Sequence, residues 1–302
     1  MSLQHLPPEL LHLIISNLET ESDMNSLAQT TRHLHTLTNP HLYTHNAKHS
    51  RSTALTWAAN SSNVRTARLA LSHGADPNAI EHGTALRTPL AIAANNGAAE
   101  LVRLLVSAHD DAPNADTYNG ITGPIAEGFM LPFVYALAGG HAHIARQLLA
   151  TGKVDVNARA AAYEQTLLCL FAGRGNEVIV RVLVELAREG VQLDVDARDC
   201  DGMTALAGAA AEGREGVVAM LLGMDVGVGV DVDARDGKRM TPLACAAENG
   251  HEGVVRMLLA TGKVDVTAAD GDGVTPLMRA VRRGHDGVVK LLEKVTDAGC
   301  SQ

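Results

Sequence analysis

The chain has 302 residues, which at about 150 residues per domain predicts roughly two structural units. Hydrophobic residues make up 46% of the chain, but only eight residues are aromatic. The core must therefore be built from closely packed Ala, Val and Leu, which favours helix packed on helix. The formal charge of −9 argues against a phosphate-binding surface, so nucleic acid is excluded as an expected partner.

The spacing of the cysteines and the length of the apolar runs indicate in which cellular compartment the protein is expected. The four cysteines lie far apart without a Cys-x-x-Cys pair, which indicates neither a disulfide framework nor a zinc site. No Lys or Arg precedes Pro7, so no signal peptide is expected, and no apolar run approaches the roughly eighteen residues of a membrane span. We therefore expect a cytoplasmic or nuclear protein with no membrane partner. The cysteines are Cys169, Cys200, Cys245 and Cys300.

The first fifty residues predict three short helices. Prolines in the first turn and Glu9 near the positive end of the helix dipole predict a helix over residues 6–18. Asp23 is the expected cap of a second helix that runs through Leu27. A third helix should start at Thr30 or Thr31 and end by Asn39, because Pro40 follows.

The first helix carries more apolar surface than a surface helix needs. Its apolar side chains span an arc of some 200°, against the ~100° that faces a core. A piece of about fifty residues is too small to cover that arc by itself. Either the rest of the chain or another protein must cover it. The arc contains Leu10, Leu11, Leu13, Ile14, Ile15 and Leu18.

Three motifs follow one another in this segment: a Leu-Pro start at residues 6–11, Thr-Arg-x-Leu at 31–34 and Pro-x-Leu-Tyr at 40–43. In this order they resemble an F-box, and fungal members in particular. The resemblance implies that residues 1–50 dock a Skp-family adaptor of cullin ubiquitin ligases. The alternative is a helical cap that merely seals the rest of the chain. The adaptor-facing residues that the resemblance implies are Leu6, Pro7, Leu10, Ile14 and Leu18.

Internal repeats fill the remainder of the chain. Strings of the form Thr-Pro-Leu, two residues, then Ala begin at Thr88, Thr241 and Thr275, and weaker copies begin at residues 53, 131, 166 and 204. Successive starts lie 34 to 43 residues apart, close to the ~33 residues of one well-known helical repeat. The longest spacing predicts an inserted loop near residues 117–128, which is either a specificity element or a tolerated insertion.

Each residue type in the repeat has a mechanical role. Thr caps a helix with its hydroxyl, and the following Pro fits the first turn, where its missing N–H is not needed. Small Ala residues let neighbouring helices approach closely, and a Gly such as Gly250 ends the helix in the left-handed conformation. A second helix follows, with Val254, Val255, Leu258 and Leu259 spaced to bury one face.

These features resemble ankyrin repeats. The resemblance covers residues 51–294, with about seven helix-turn-helix units and a tail at 295–302, and implies an all-α solenoid after the F-box. Some units depart from the pattern: Ser62 replaces the helix-ending Gly of the first unit, and Leu167 and Ala205 replace the Pro of the fourth and fifth.

Candidate catalytic and metal-binding residues have simpler interpretations. His41, His45 and His49 have helical metal-ligand spacing but no accompanying carboxylates or cysteines. His141, His251 and His285 follow the repeat Gly, and the ankyrin resemblance implies a structural hydrogen bond between units. The acidic runs at 194–196 and 231–233 lack the loop spacing of a calcium site, and the Gly-rich run at 223–229 lacks the Lys of a phosphate loop. We expect no cofactor, no metal, no catalytic residue and no enzymatic activity.

What remains is a surface for binding a target protein. In a helical solenoid, the ends of the first helices and the turns before each Thr line the concave side. Their mixed charge favours a protein segment of complementary charge. The predicted target-binding residues are Asn95, Asn96, Tyr163, Arg174, Asp201, Glu212, Asp236, Lys238, Arg239, Glu248, Asn249, Asp272, Arg282 and Arg283.

The resemblances together predict a substrate-recognition subunit of a Skp-cullin-F-box ubiquitin ligase. Its F-box would hold the adaptor and cullin assembly, its repeats would hold the target, and it would be a monomer outside the complex. The alternative function is an ankyrin-repeat scaffold or inhibitor with no role in ubiquitination.

Overall fold

A computed structural model describes residues 6–18, 20–49, 53–79, 88–110, 130–159, 164–224 and 229–299. All the regular elements in these ranges are α-helices. By contacts, the chain divides into two compact units, residues 1–117 with 131–147, and residues 118–130 with 148–302. The predicted all-α class is confirmed for the described residues. The predicted loop near 117–128 and Tyr163 lie outside them.

The first unit contains the N-terminal helices and the first helix pairs. Its elements are α1 (Pro8–Ser16), α2 (Glu21–Ala28), α3 (Arg32–His49), α4 (Thr53–Asn60), α5 (Val64–Ser72), α6 (Pro89–Asn95) and α7 (Ala99–Asp110). It also includes nearly all of α8 (Met130–Ala138) and α9 (Ala142–Leu149).

The second unit contains helix pairs throughout. Its elements are α10 (Leu167–Gly173), α11 (Glu177–Arg188), α12 (Ala205–Ala211), α13 (Glu215–Leu222), α14 (Pro242–Glu248), α15 (Glu252–Ala260), α16 (Pro276–Arg283) and α17 (Asp286–Gly299). The first helix of each pair, in both units, begins within about one residue of a predicted repeat start.

Threonine caps begin five of the first helices, α6, α10, α12, α14 and α16, as predicted. The hydroxyl of Thr241 accepts a hydrogen bond from the N–H of Ala244 at 3.2 Å, and Thr88 does the same for Ala91. Thr166, Thr204 and Thr275 make the equivalent bond. The caps hold even where Pro is absent from the next position, because the hydroxyl satisfies an orphan N–H whatever residue follows.

The core consists of small and medium aliphatic side chains, as the composition predicts. In α14 every residue from Pro242 to Ala247 is buried, and the second helix α15 buries Val254, Val255 and Leu258.

Ser62 stands where the other repeats have the helix-ending Gly. Ser62 adopts φ +54°, so it takes the left-handed backbone that Gly has in the other units, at some cost in strain.

The third N-terminal helix does not end at Asn39, so that prediction was wrong. α3 continues to His49 with Pro40 inside it. Pro40 lacks the N–H that would donate to the carbonyl four residues earlier, so it contributes one backbone bond fewer to the helix. The far end of α3 packs against α4 and α5, and this tertiary packing outweighs the local effect of the proline.

Asn46 explains why the end of α3 is held in place. Its carboxamide oxygen accepts the N–H of Ala54 at 2.9 Å, and its amide donates to the hydroxyl of Thr53 at 2.7 Å. This buried side chain therefore caps the start of α4 from another helix. The boundary near residue 50 lies inside the first compact unit.

Candidate protein-recognition surfaces

Aspartate turns shape the loops before three first helices of the second unit, α12, α14 and α16. One carboxylate oxygen of Asp236 accepts the backbone N–H groups of Lys238 and Met240 at 2.9 and 2.7 Å. Asp199 and Asp270 make the same pair of bonds in their own loops. Asp236, a predicted target-binding residue, therefore forms a turn, and one of its two carboxylate oxygens already accepts two backbone hydrogen bonds.

The tips of these loops are bonded to one another. The N–H of Gly237 donates to the carbonyl of Asp201 at 2.8 Å, and the N–H of Gly271 donates to the carbonyl of Lys238 at 2.9 Å. Four of the predicted target-binding residues are exposed on this row: Asp201, Lys238, Arg239 and Asp272. The row offers both charge signs to a partner.

The histidines that follow the repeat Gly connect neighbouring helices. His285 lies 2.9 Å from the carbonyl of Glu248, His251 lies 3.0 Å from that of Ala211, and His141 lies 3.1 Å from that of Asn95. The predicted structural role is confirmed. Arg214 occupies the equivalent place in its repeat and bonds to the carbonyl of Gly173 at 3.4 Å.

The close approach of these histidines requires glycine. Gly250 has φ +77°, and a Cβ there would lie 2.6 Å from Nδ1 of His285. Both the backbone conformation and the contact exclude a side chain. The helix ends that line the predicted concave side are thus fixed by the repeat itself.

An ion-pair network lies at the last repeat. Arg279 donates through Nη1 to Glu248 at 2.9 Å and through Nε to the buried carboxylate of Asp270 at 2.8 Å. Arg283 donates to the other oxygen of Glu248 at 2.6 Å. This bond lowers the pKa of Glu248. Burial would raise the pKa of Asp270, but bonds from Val274 and Arg279 outweigh it and lower the pKa. Both carboxylates therefore stay ionised.

In the second unit, successive turns at Asn157, Asp196 and Asp233 are bonded to the turns that follow them, and we call this row of turns the acidic edge. Asn157 accepts the N–H of Asp194 at 2.9 Å and donates to the carbonyl of Gln192 at 2.8 Å. The next turns have Asp196 and Asp233 instead, which accept from the following turn but cannot donate.

The carboxylates of this edge are costly to ionise. Burial raises the pKa of Asp196 and of Asp233, and repulsion from neighbouring aspartates adds to the effect. One buried oxygen of Asp233 has no hydrogen-bond partner among the described residues. Within the described part of the chain, no three acidic, His or Cys side chains are placed to hold a metal.

Helix α1 presents an apolar face. Leu11 and Ile15 are fully buried, whereas Leu10, Leu13 and Ile14 are 47, 60 and 36% exposed. Of the other predicted adaptor-facing residues, Pro7 is exposed and Leu6 and Leu18 are half-buried. Leu13, the most exposed of the set, was part of the predicted apolar arc but was missing from the predicted adaptor-facing residues.

A groove beside the start of the repeats was not predicted. It has a volume of about 720 Å³ and lies where α2 and α3 meet α4 and α5. Trp57, at the position where other repeats bury Ile92 or Cys245, is largely exposed there. The only signal in the sequence is the single Trp of the chain at a position that is otherwise apolar. The lining residues are Ser22, Asn25, Leu42, Tyr43, Asn46, Thr53, Ala54, Trp57 and Thr66.

The remaining predicted target-binding residues divide between free and structural roles. Asn96 donates to the carbonyls of Ala59 and Asn60 at 3.3 Å, and Asn249 donates to that of Cys245 at 3.1 Å. Glu212 pairs with Arg214 at 3.6 Å. Those whose side chains are exposed without a hydrogen bond or ion pair among the described residues include Arg174 and Arg282.

The two buried thiols, Cys169 and Cys245, are poor nucleophiles. Cys169, Cys200 and Cys245 are free, and Cys300 lies outside the described residues. Burial raises the pKa of Cys169, and it raises that of Cys245 to about 12. Both thiols stay protonated at neutral pH, and a protonated thiol is a poor nucleophile.

The chain matches the model of a known protein family. The family model described as ankyrin repeats (three copies) matches residues 11–119, 133–236 and 226–301. No curated protein matches the chain. Among the described residues, no helix has the length and apolar character to cross a membrane.

Proposed function

The chain belongs to the ankyrin-repeat family, which implies a role in protein-protein interaction, and we propose that it performs this role as the target-recognition subunit of a Skp-cullin-F-box ubiquitin ligase. The N-terminal helices would bind the Skp-family adaptor, and the repeats would bind the target. The chemistry of ubiquitin transfer would belong to other subunits.

The observation that supports adaptor docking is the exposed face of α1. Leu10, Leu13 and Ile14 stand at i, i+3 and i+4, so they form one stripe on the helix. Leu11 and Ile15 anchor the adjacent side of the helix in the core. Full burial of an aliphatic side chain contributes about 1.5–3 kcal/mol. Because about half of each of the three side chains is still exposed, docking would bury that half, and the stripe would contribute part of the free energy of association.

The mechanism that this arrangement supports is proximity. One end of the chain would hold the ligase and the other would hold the target, which raises the effective concentration of target lysines near the ubiquitin-loaded subunit. No titratable side chain of this chain has to take part in the reaction.

A binding measurement with a purified Skp-family adaptor tests the proposal. We expect the wild-type chain to bind and the double variant Leu10→Asp with Ile14→Asp to lose binding, because two carboxylates would have to be desolvated in the contact. Val178→Asp is the matched control, since Val178 is a similarly exposed apolar residue in the second unit. Circular dichroism would verify that all variants keep their helices. Equal binding by the double variant, or no binding by the wild type, would contradict the proposal.

The scaffold or inhibitor function is the second candidate, and one observation favours it. The buried Asn46 caps α4 from α3, so the N-terminal helices already serve the repeats as a structural cap. A chain that fails to bind the adaptor but still binds a protein through its repeats would establish this function instead.

A further inference from the structure

Helix α16 has an exposed side that the other first helices of the second unit lack. α14 buries its first six residues in succession, but α16 leaves Met278 and Val281 51 and 58% exposed. Arg282 stands four residues after Met278 and is exposed too. At about 100° per residue, Arg282 lies directly beside Met278. One side of α16 therefore joins an apolar patch to a cationic group.

A shallow pocket of about 220 Å³ adjoins this patch, lined by Glu248, Arg279, Arg282 and Arg283. Glu248 bridges Arg279 and Arg283, and Asp270 binds the other side of Arg279. Three guanidinium groups thus face two carboxylates. The one positive charge left over belongs to Arg282, which makes no hydrogen bond or ion pair with the residues that the structure describes.

The neighbouring groups do not cancel this charge. Lys238 lies close enough to help lower the pKa of Glu248. Asp236, two residues earlier on the same loop, carries the opposite charge, so these two side chains offset each other and leave the excess charge of Arg282 in place. In a chain of net charge −9, this is a place where an anionic group is attracted.

We infer that this side of α16 binds a protein segment that carries carboxylates next to an aliphatic or aromatic side chain. The carboxylate would accept N–H bonds from Arg282 and from the outer part of Arg283, because guanidinium groups bind carboxylates in a forked geometry. The apolar side chain would lie on Met278 and Val281, where the flexible thioether adapts to its shape. That this segment belongs to a target rests on the proposed function.

A protein segment fits better than the other possible occupants. Nucleic acid carries a long row of phosphates, and the net charge of −9 would repel all but the few nearest the pocket. A protein segment with one or two carboxylates meets the single excess charge and covers the apolar patch at the same time.

Selection of short random peptides displayed on phage, with the full chain as bait, tests the inference. We expect peptides enriched in Asp or Glu beside Leu, Ile, Val or Phe. The best peptide, labelled with fluorescein, should bind Arg282→Glu at least about tenfold more weakly, because a charge-assisted bond becomes a repulsion. Met278→Ser should also weaken binding. Arg256→Glu is the matched control, since Arg256 is an exposed arginine on the second helix α15.

Several results would overturn the inference: no acidic enrichment, equal peptide binding by Arg282→Glu and wild type, or tighter binding of single-stranded DNA than of the peptide. Dimers in sedimentation that Met278→Ser dissociates would also overturn it, since a second copy would then cover the patch. Adaptor binding, measured on the same proteins, separates the two proposals. Lost peptide selection with intact adaptor binding contradicts only this inference, and the reverse contradicts only the ligase.

Discussion

Helix α1 and helix α14 of the second unit use apolar residues in opposite ways. In α14 the apolar residues are buried against neighbouring repeats, and polar groups at its two ends are bonded to Thr and His of the same pattern. In α1 only part of the apolar arc is buried, and Leu10, Leu13 and Ile14 face outward. The difference teaches that a helix between two similar repeats has its apolar side chains covered by those repeats. The apolar face of α1 has no such neighbour on both sides, so it stays available to a partner.

The largest effect is expected where the repeat buries charge. Asp270→Ala would leave the partly buried Arg279 with one carboxylate fewer, and breaking a buried pair in this way costs about 3–5 kcal/mol. Urea unfolding would measure the loss. Glu252→Ala is the control, because its pair with Arg256 is exposed and should contribute under about 1 kcal/mol. Similar losses for the two variants would show that the network is not part of what holds the second unit together.

The glycine that lies against histidine should show the next largest effect. Gly250→Ala must both hold φ +77° and displace His285, for a cost of about 2–3 kcal/mol. Gly262→Ala has a similar φ of +66° but no atom within 4 Å of the new Cβ, so it should cost about 1 kcal/mol. The difference in unfolding free energy isolates the histidine contact. No difference would mean that His285 moves aside freely.

A smaller effect is expected for the cap that α3 supplies to α4. Asn46→Ala removes the acceptor for the N–H of Ala54 and should cost about 1 kcal/mol. Thermal unfolding of the full chain would measure it, with Asn39→Ala in the same helix as the control. An unchanged stability would show that the N-terminal helices do not support the repeats, and would remove the observation that favours the scaffold alternative.

The smallest effect concerns the acidic edge. Asp233→Asn should stabilise the chain at pH 7 by up to about 1 kcal/mol, because it removes a carboxylate from a row of aspartates and adds an amide donor. The reciprocal change Asn157→Asp should destabilise it, since the bond to the carbonyl of Gln192 is lost.

The pH dependence of this edge results from the raised pKa of Asp233. The Asp233 carboxyl group holds its proton more tightly in the folded state than in the unfolded state. Its contribution to folding stability is therefore complete below the unfolded pKa of about 4. It is lost as the pH rises through the higher folded pKa. As the pH rises through this range, the contribution of Asp233 lowers the free energy of unfolding of the wild type. Asp233→Asn lacks this contribution, so its free energy of unfolding should fall less, or rise more, with pH than that of the wild type. An identical slope would mean that Asp233 titrates normally.

The sequence predicted the parts of the repeats that depend on local chemistry, but the predicted cap of α2 was wrong, because Thr20 and not Asp23 caps that helix. The Thr caps, the left-handed Gly and the bridging His depend on hydrogen bonds within or between adjacent repeats, so a repeated pattern is enough to find them. The end of α3 could not be predicted, because the packing of its second half against α4 and α5 outweighs Pro40. The arginine network at Arg279 and the exposure of Trp57 depend on contacts between residues far apart in sequence, which no local pattern reports.

The central claim is that a partner covers the exposed face of α1. Hydrogen-deuterium exchange of the full chain, with and without a purified Skp-family adaptor, measures this directly. We predict that the adaptor slows exchange in the backbone of α1 and leaves α14 to α16 unchanged. Unchanged exchange in α1, or protection only within the repeats, would contradict the claim.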